Sequence, residues 1–127
     1  MTDYAEEIID HYKNPRNFGE MEGAGVTINE SNSSCGDVVQ VQVKIRKGGL
    51  QGQTLQVEEM KWRGVGCAIS TAAASMLSEK VVGMKLSDIE KISEEGIIEM
   101  MGGEINAGRM KCATLAYRAL LKAMKND

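Results

Sequence analysis

The chain has 127 residues, 43% hydrophobic and only 4% aromatic, with 18 acidic and 15 basic side chains and a formal charge of -3. This predicts a single folded domain over residues 1–127 with a core of Val, Ile, Leu, Met and Ala, and excludes a disordered or low-complexity chain. The acidic balance offers no basic stripe for nucleic acid, no apolar run is long enough for a membrane span or a secretory signal, and an odd cysteine count argues against a secreted disulfide framework, so a soluble cytoplasmic protein is expected.

Residues 3–13 read as a helix, with Asp3 as its cap and Ile8, Ile9 and Tyr12 as its apolar stripe. Asn14-Pro15 ends it, and residues 16–25 with their glycines read as loop. A short strand is expected over 26–30 and a clear one over 37–46, where Val39, Val41, Val43 and Ile45 alternate with Val38, Gln40, Gln42 and Lys44. Lys47-Gly48-Gly49 supplies turn chemistry before a third strand over 54–63. The apolar parity of that strand changes across Glu58-Glu59, between Val57 and Met60, which predicts a bulge or twist.

Gly64 to Gly66 should break the strand. A helix over 68–82 follows, with Ile69, Ala72, Ala73, Met76 and Leu77 on one stripe. Ser87-Asp88-Ile89-Glu90 resembles a capping box opening a short helix, and a second short helix over 94–101 stops at Gly102-Gly103. Residues 104–110 read as loop, and a last helix covers 111–125. Strands followed by helices predict an α+β fold, a three-stranded antiparallel sheet with helices packed on one face.

The chemistry concentrates on three cysteines, in Ser34-Cys35-Gly36-Asp37, Gly66-Cys67-Ala68 and Lys111-Cys112-Ala113. Asp37 stands two residues from Cys35, so in an extended segment both side chains point the same way. Cys67 and Cys112 stand at predicted helix N-termini, where unpaired N–H groups and the helix dipole favour a thiolate. Lys111 and Arg109 add positive charge beside Cys112. Three thiolates and one carboxylate can hold zinc or an iron–sulfur cluster if the fold brings them together. A cysteine is also a small hydrophobe, and Cys67 ahead of Ala68-Ile69 suits that role too. Asp37 could equally serve only to terminate a strand. His11, the sole histidine, reads as a packing or surface residue rather than a ligand. Ser70, Thr71 and Ser75 lack a nearby histidine base, which gives serine nucleophile chemistry little support.

In order along the chain, Tyr12-Lys13-Asn14-Pro15-Arg16-Asn17, Ser34-Cys35-Gly36-Asp37, Gly64-Val65-Gly66-Cys67-Ala68-Ile69-Ser70 and Lys111-Cys112-Ala113-Thr114-Leu115-Ala116 resemble the motifs of the iron–sulfur cluster assembly scaffold family, the IscU, SufU and NifU N-terminal group. Two departures from IscU stand out: Lys111 replaces a histidine, and residues 104–110 lack an LPPVK-like peptide. Both look more like SufU, although the stretch between the second and third cysteines is short for SufU.

The resemblance implies an IscU/SufU-like fold and a scaffold for a 2Fe-2S cluster, built from iron and desulfurase-derived sulfur and passed to apo-proteins. Cys35, Asp37, Cys67 and Cys112 would be the ligands. Cys35, Cys67 and Cys112 would be the candidate persulfide acceptors, with Lys111 in support. Its implied partners are a cysteine desulfurase and apo iron–sulfur proteins, with a homo-oligomer left open. The alternative it implies is a SufU-like zinc-dependent sulfur acceptor on the same residues, with zinc also able to fill a cluster-free scaffold. A structural zinc or interaction domain without sulfur chemistry is a third reading.

Overall fold

A computed structural model describes residues 4–23, 25–32, 36–48, 54–103 and 105–125, so Asp3, Cys35 and the turn residue Gly49 lie outside the described residues. Three strands, β1 (Val26–Asn32), β2 (Asp37–Gly48) and β3 (Thr54–Val65), form an antiparallel sheet in the order β1-β2-β3. Alternation along β2 decides its faces: Val39, Val41 and Val43 are buried together with Val57, Met60 and Trp62 of β3, while Val38 is exposed on the other side. Lys44 pairs with Glu59 and Ile45 with Val57, leaving Glu58 as the extra residue of a bulge where the parity changes.

The helices α1 (Tyr4–Lys13), α2 (Ala68–Val81), α3 (Leu86–Met100) and α4 (Met110–Lys125) complete an α+β fold. The core lies between the valine face of the sheet and one side of α2, α3 and α4, where Leu77, Val81, Ile89, Ile97, Leu115 and Leu120 are buried. Each such side chain contributes about 1.5–3 kcal/mol on removal from water. Among the described residues no helix is long and apolar enough to cross a membrane.

Four local expectations are corrected. On α1, Ile8 packs against the core as expected, but Ile9 and Tyr12 are exposed, and the polar His11 turns inward in their place. On α2 burial extends beyond one apolar stripe to Ser70, Ser75 and Ser78, because this small-residue helix packs between α1, α4 and β3. Gly64 does not break β3, which continues through Val65 opposite Val38. The capping box does not open α3: the helix starts at Leu86, and its N-cap Lys85 makes no side-chain cap bond. Backbone bonds to β3 set that start instead, from Val57 N–H to Met84 C=O at 3.1 Å and from Gly83 N–H to Val57 C=O at 2.8 Å. The two short helices expected in this region are the two arms of α3, separated by a kink at Ser93 with φ 65°. The Tyr117 hydroxyl of α4 holds the kink, accepting from Ser93 N–H at 3.0 Å and donating to Ile89 C=O at 2.9 Å.

The Asn14-Pro15-Arg16-Asn17 segment is a strap across α2 and β3. Arg16 N–H donates to Ser75 Oγ at 2.9 Å, Asn17 Nδ2 to Ser78 Oγ at 3.0 Å, and Trp62 Nε1 to Arg16 C=O at 2.8 Å. His11 joins the same network, its Nδ1 2.7 Å from Ser75 Oγ and its Nε2 3.7 Å from Glu79 Oε1. Burial, and then the charge of Arg16, hold the His11 pKa below its ordinary 6.5 against the opposing pull of Glu79, Asp10 and Glu7. Below that value the unfolded chain binds this proton more readily than the folded one, so stability rises with pH across the window. The His11 contribution is complete above the unfolded pKa and is lost as pH falls through the folded one. The urea midpoint is therefore expected to drop between about pH 7.5 and about pH 5.5, and His11→Gln to flatten that drop. Identical slopes for the two proteins would remove His11 as its cause.

Candidate metal and sulfur site

Three elements deliver chemistry to one end of the sheet. Asp37 is the first residue of β2, Cys67 is the N-cap of α2, and Cys112 lies in the first turn of α4. Their ligand atoms all lie within 4.8 Å of one another. Three of the four residues expected at the site thus converge. The fourth, Cys35, lies outside the described residues and is two positions from Asp37 in sequence.

Asp37 is 2% exposed. Its Oδ1 accepts the Cys67 backbone N–H at 3.1 Å, so the carboxylate satisfies one of the orphan donors at the start of α2. Its Oδ2 is buried with no hydrogen-bond partner among the described residues. A buried polar atom left unpaired costs about 1–3 kcal/mol, more when charged. An ion at this position would remove that cost, and two thiolates with one carboxylate are a donor set suited to zinc or iron rather than to magnesium or calcium.

Glycines make the approach feasible. A Cβ on Gly64 would sit 2.2 Å from the Val38 carbonyl oxygen, so only glycine lets β3 pass β2 here. A Cβ on Gly66 would lie 2.9 Å from both Asp37 Oδ1 and Ser70 Oγ. Gly36, between Cys35 and Asp37, has φ +72°, which disfavours any side chain.

The two described sulfurs differ in access. Cys112 is 0% exposed and Cys67 is partly exposed. Both sit where a helix start favours negative charge. The Arg109 guanidinium lies on the turn Ala107–Arg109 that leads into α4. The neighbouring sulfur of Cys67, and after it that of Cys112, raise its pKa further above an already high value through hydrogen bonding and charge. Lys111 is exposed and lines a groove between α3 and α4 with Ile98, Met110 and Arg118. Asn32, in the polar stretch Ser31-Asn32-Ser33-Ser34 ahead of Cys35, also reaches the site. It is the last residue of β1, buried, with its Nδ2 3.8 Å from Cys112 Sγ. The single signal for it in the sequence was its place beside the Cys35 motif.

Residues 3–126 match the family described as the NifU-like N terminal domain. The chain belongs to that family. Its relatives include the iron-sulfur cluster assembly scaffold protein IscU 1 of Archaeoglobus fulgidus, 31% identical over 95% of this chain and 74% of the relative. The zinc-dependent sulfurtransferase SufU of Bacillus subtilis is 33% identical over 99% of this chain and 92% of its own length. That alignment spans 143 positions, more than the 127 residues here, so the Bacillus protein carries residues without a counterpart in this chain. Among solved structures, a hypothetical protein matches with a TM-score of 0.76 and 28% identity over 96% of both chains. A putative SUF-system scaffold from Fervidobacterium islandicum, 24% identical over 94% of both chains with a TM-score of 0.76, has the same fold. The relatives of this chain therefore include proteins named as scaffolds and a protein named as a zinc-dependent sulfurtransferase.

Gly66→Ala forces a methyl group against the Asp37 carboxylate and should displace it. The variant is expected to bind Zn2+ about tenfold more weakly by chelator competition, with the rest of the fold intact by circular dichroism. Wild-type affinity in this variant would mean that the carboxylate position is irrelevant to the ion.

Proposed function

We propose that the protein is a single-domain cytoplasmic scaffold on which a 2Fe-2S cluster is assembled and from which it passes to apo-proteins. The observation that carries this reading is the convergence of Asp37, Cys67 and Cys112 around a carboxylate oxygen with no partner among the described residues, in a member of the NifU-like family. The cluster is cargo. Cys35, Cys67 and Cys112 would bind it as thiolates and Asp37 as the fourth ligand. A carboxylate is a harder, less covalent donor than a thiolate, which suits a cluster meant to leave.

Sulfur would come from a cysteine desulfurase. A scaffold thiolate attacks the outer sulfur of the donor's persulfide, a new S–S bond forms, and the donor cysteine departs as a thiolate. Turning each sulfane sulfur into sulfide takes two further electrons, which a separate reductant must bring. The Arg109 guanidinium beside these sulfurs attracts the negatively charged persulfide. Lys111, exposed on the next turn, extends that positive field toward a docked partner.

A second reading has specific support: the Bacillus relative named as a zinc-dependent sulfurtransferase. On that reading the same residues hold zinc in a tetrahedron, and one thiolate leaves the metal to take sulfur. Anaerobic incubation with a cysteine desulfurase, L-cysteine, Fe2+ and a thiol reductant separates the two. The scaffold reading expects a coloured protein with equal iron and sulfide bound. A colourless protein that keeps zinc and accelerates the desulfurase supports the transferase. Neither a cluster nor persulfide on any cysteine would discard both. In the scaffold case Asp37→Ala is expected to slow cluster release to an apo-ferredoxin severalfold, followed by circular dichroism; unchanged release would take Asp37 out of the ligand set.

A further inference from the structure

Asn32 ends β1 and pairs directly with Asp37, which begins β2. Residues opposite each other in an antiparallel pair project to the same face. Both are buried, Asn32 at 6% and Asp37 at 2% exposure. The end of the hairpin therefore presents an amide beside a carboxylate, and each serves a different helix start. Asp37 takes the Cys67 backbone N–H of α2, while Asn32 Nδ2 lies 3.8 Å from the Cys112 sulfur of α4. An amide nitrogen has only hydrogens to offer, so the sulfur is the acceptor. Such bonds to sulfur are long because the atom is large. Turned over, the amide would set its oxygen, which can only accept, against the lone pairs of the sulfur.

We propose that Asn32 is a positioning residue for Cys112, whose N–H group fixes that sulfur against the inner wall of the site and draws electron density from it. The proposal rests on the reading of Cys112 as a metal ligand. Hydrogen bonds to ligating sulfurs weaken their donation to the metal and help to set cluster potentials. Cys112 has no exposure to solvent, so water is not at hand to stand in for the amide, and the Arg109 guanidinium that also reaches this sulfur comes from the α4 side rather than from the sheet.

The test uses Co2+ as the probe, added to the anaerobically reduced full chain, with the sulfur-to-metal charge-transfer band read in the near ultraviolet. Asn32→Leu keeps the bulk and removes the donor. Its band is expected at lower energy than in the wild type, because the sulfur becomes the more electron-rich, while its Zn2+ affinity by chelator competition should be about 10–100-fold weaker, because the sulfur is no longer held in place. Asn32→Asp is nearly isosteric and puts an acceptor where the donor was, so its affinity should fall at least as far; it carries the test if the leucine variant fails to fold. An unshifted band, a shift to higher energy, or wild-type affinity in Asn32→Asp would overturn the proposal. So would an affinity loss without a band shift, which a purely structural role would produce. A wild-type protein with no charge-transfer band would instead overturn the metal-site reading beneath it.

Discussion

The contact between the Asp37 carboxylate and the Cys67 backbone N–H is the constraint on which the site depends. It ties the first residue of β2 to the N-cap of α2. It requires β3 to pass β2 closely at Gly64 and to turn at Gly66 without a side chain in the way. Those two glycines are needed for space rather than for unusual dihedrals, which is why Gly64 sits inside a strand it was expected to break. With the strand start and the helix start locked together, the core packing of α4 brings Cys112 to the same place.

The strap over residues 14–17 supports this from the other side. It holds α1, α2 and β3 together through the hydroxyls of Ser75 and Ser78 and through the Trp62 indole. Serines inside a helix otherwise rich in alanine look like surface positions in a sequence. Here they are buried because they answer the backbone and amide groups of an irregular segment that has no ladder of its own. A recognisable sequence motif thus has a mechanical role, keeping α2 in position so that its N-terminus meets Asp37.

The strands were legible because their valines alternate, and even the bulge at Glu58 showed as a change of parity. The two arms of α3 and the glycine stop behind them were also legible. The start of α3 was not, because backbone bonds from β3 decide it and leave no trace in side-chain pattern. The inward face of α1 was legible only at Ile8, because beside it a polar residue, His11, is buried while Ile9 and Tyr12 face outward. At the site, Cys67, Cys112 and Asp37 stood out through their glycine neighbours and helix starts. Asn32 did not, because an asparagine before two serines looks like turn chemistry; only the extension of β1 through Asn32 buries it.

The unpaired Oδ2 of Asp37 has a thermodynamic side. If an ion or cluster satisfies that atom, as proposed, occupancy is linked to folding, since whatever binds the native state alone raises its apparent stability. Loss of the bound species would then leave the protein softer than before, and a sample with fractional loading would melt as two populations rather than one.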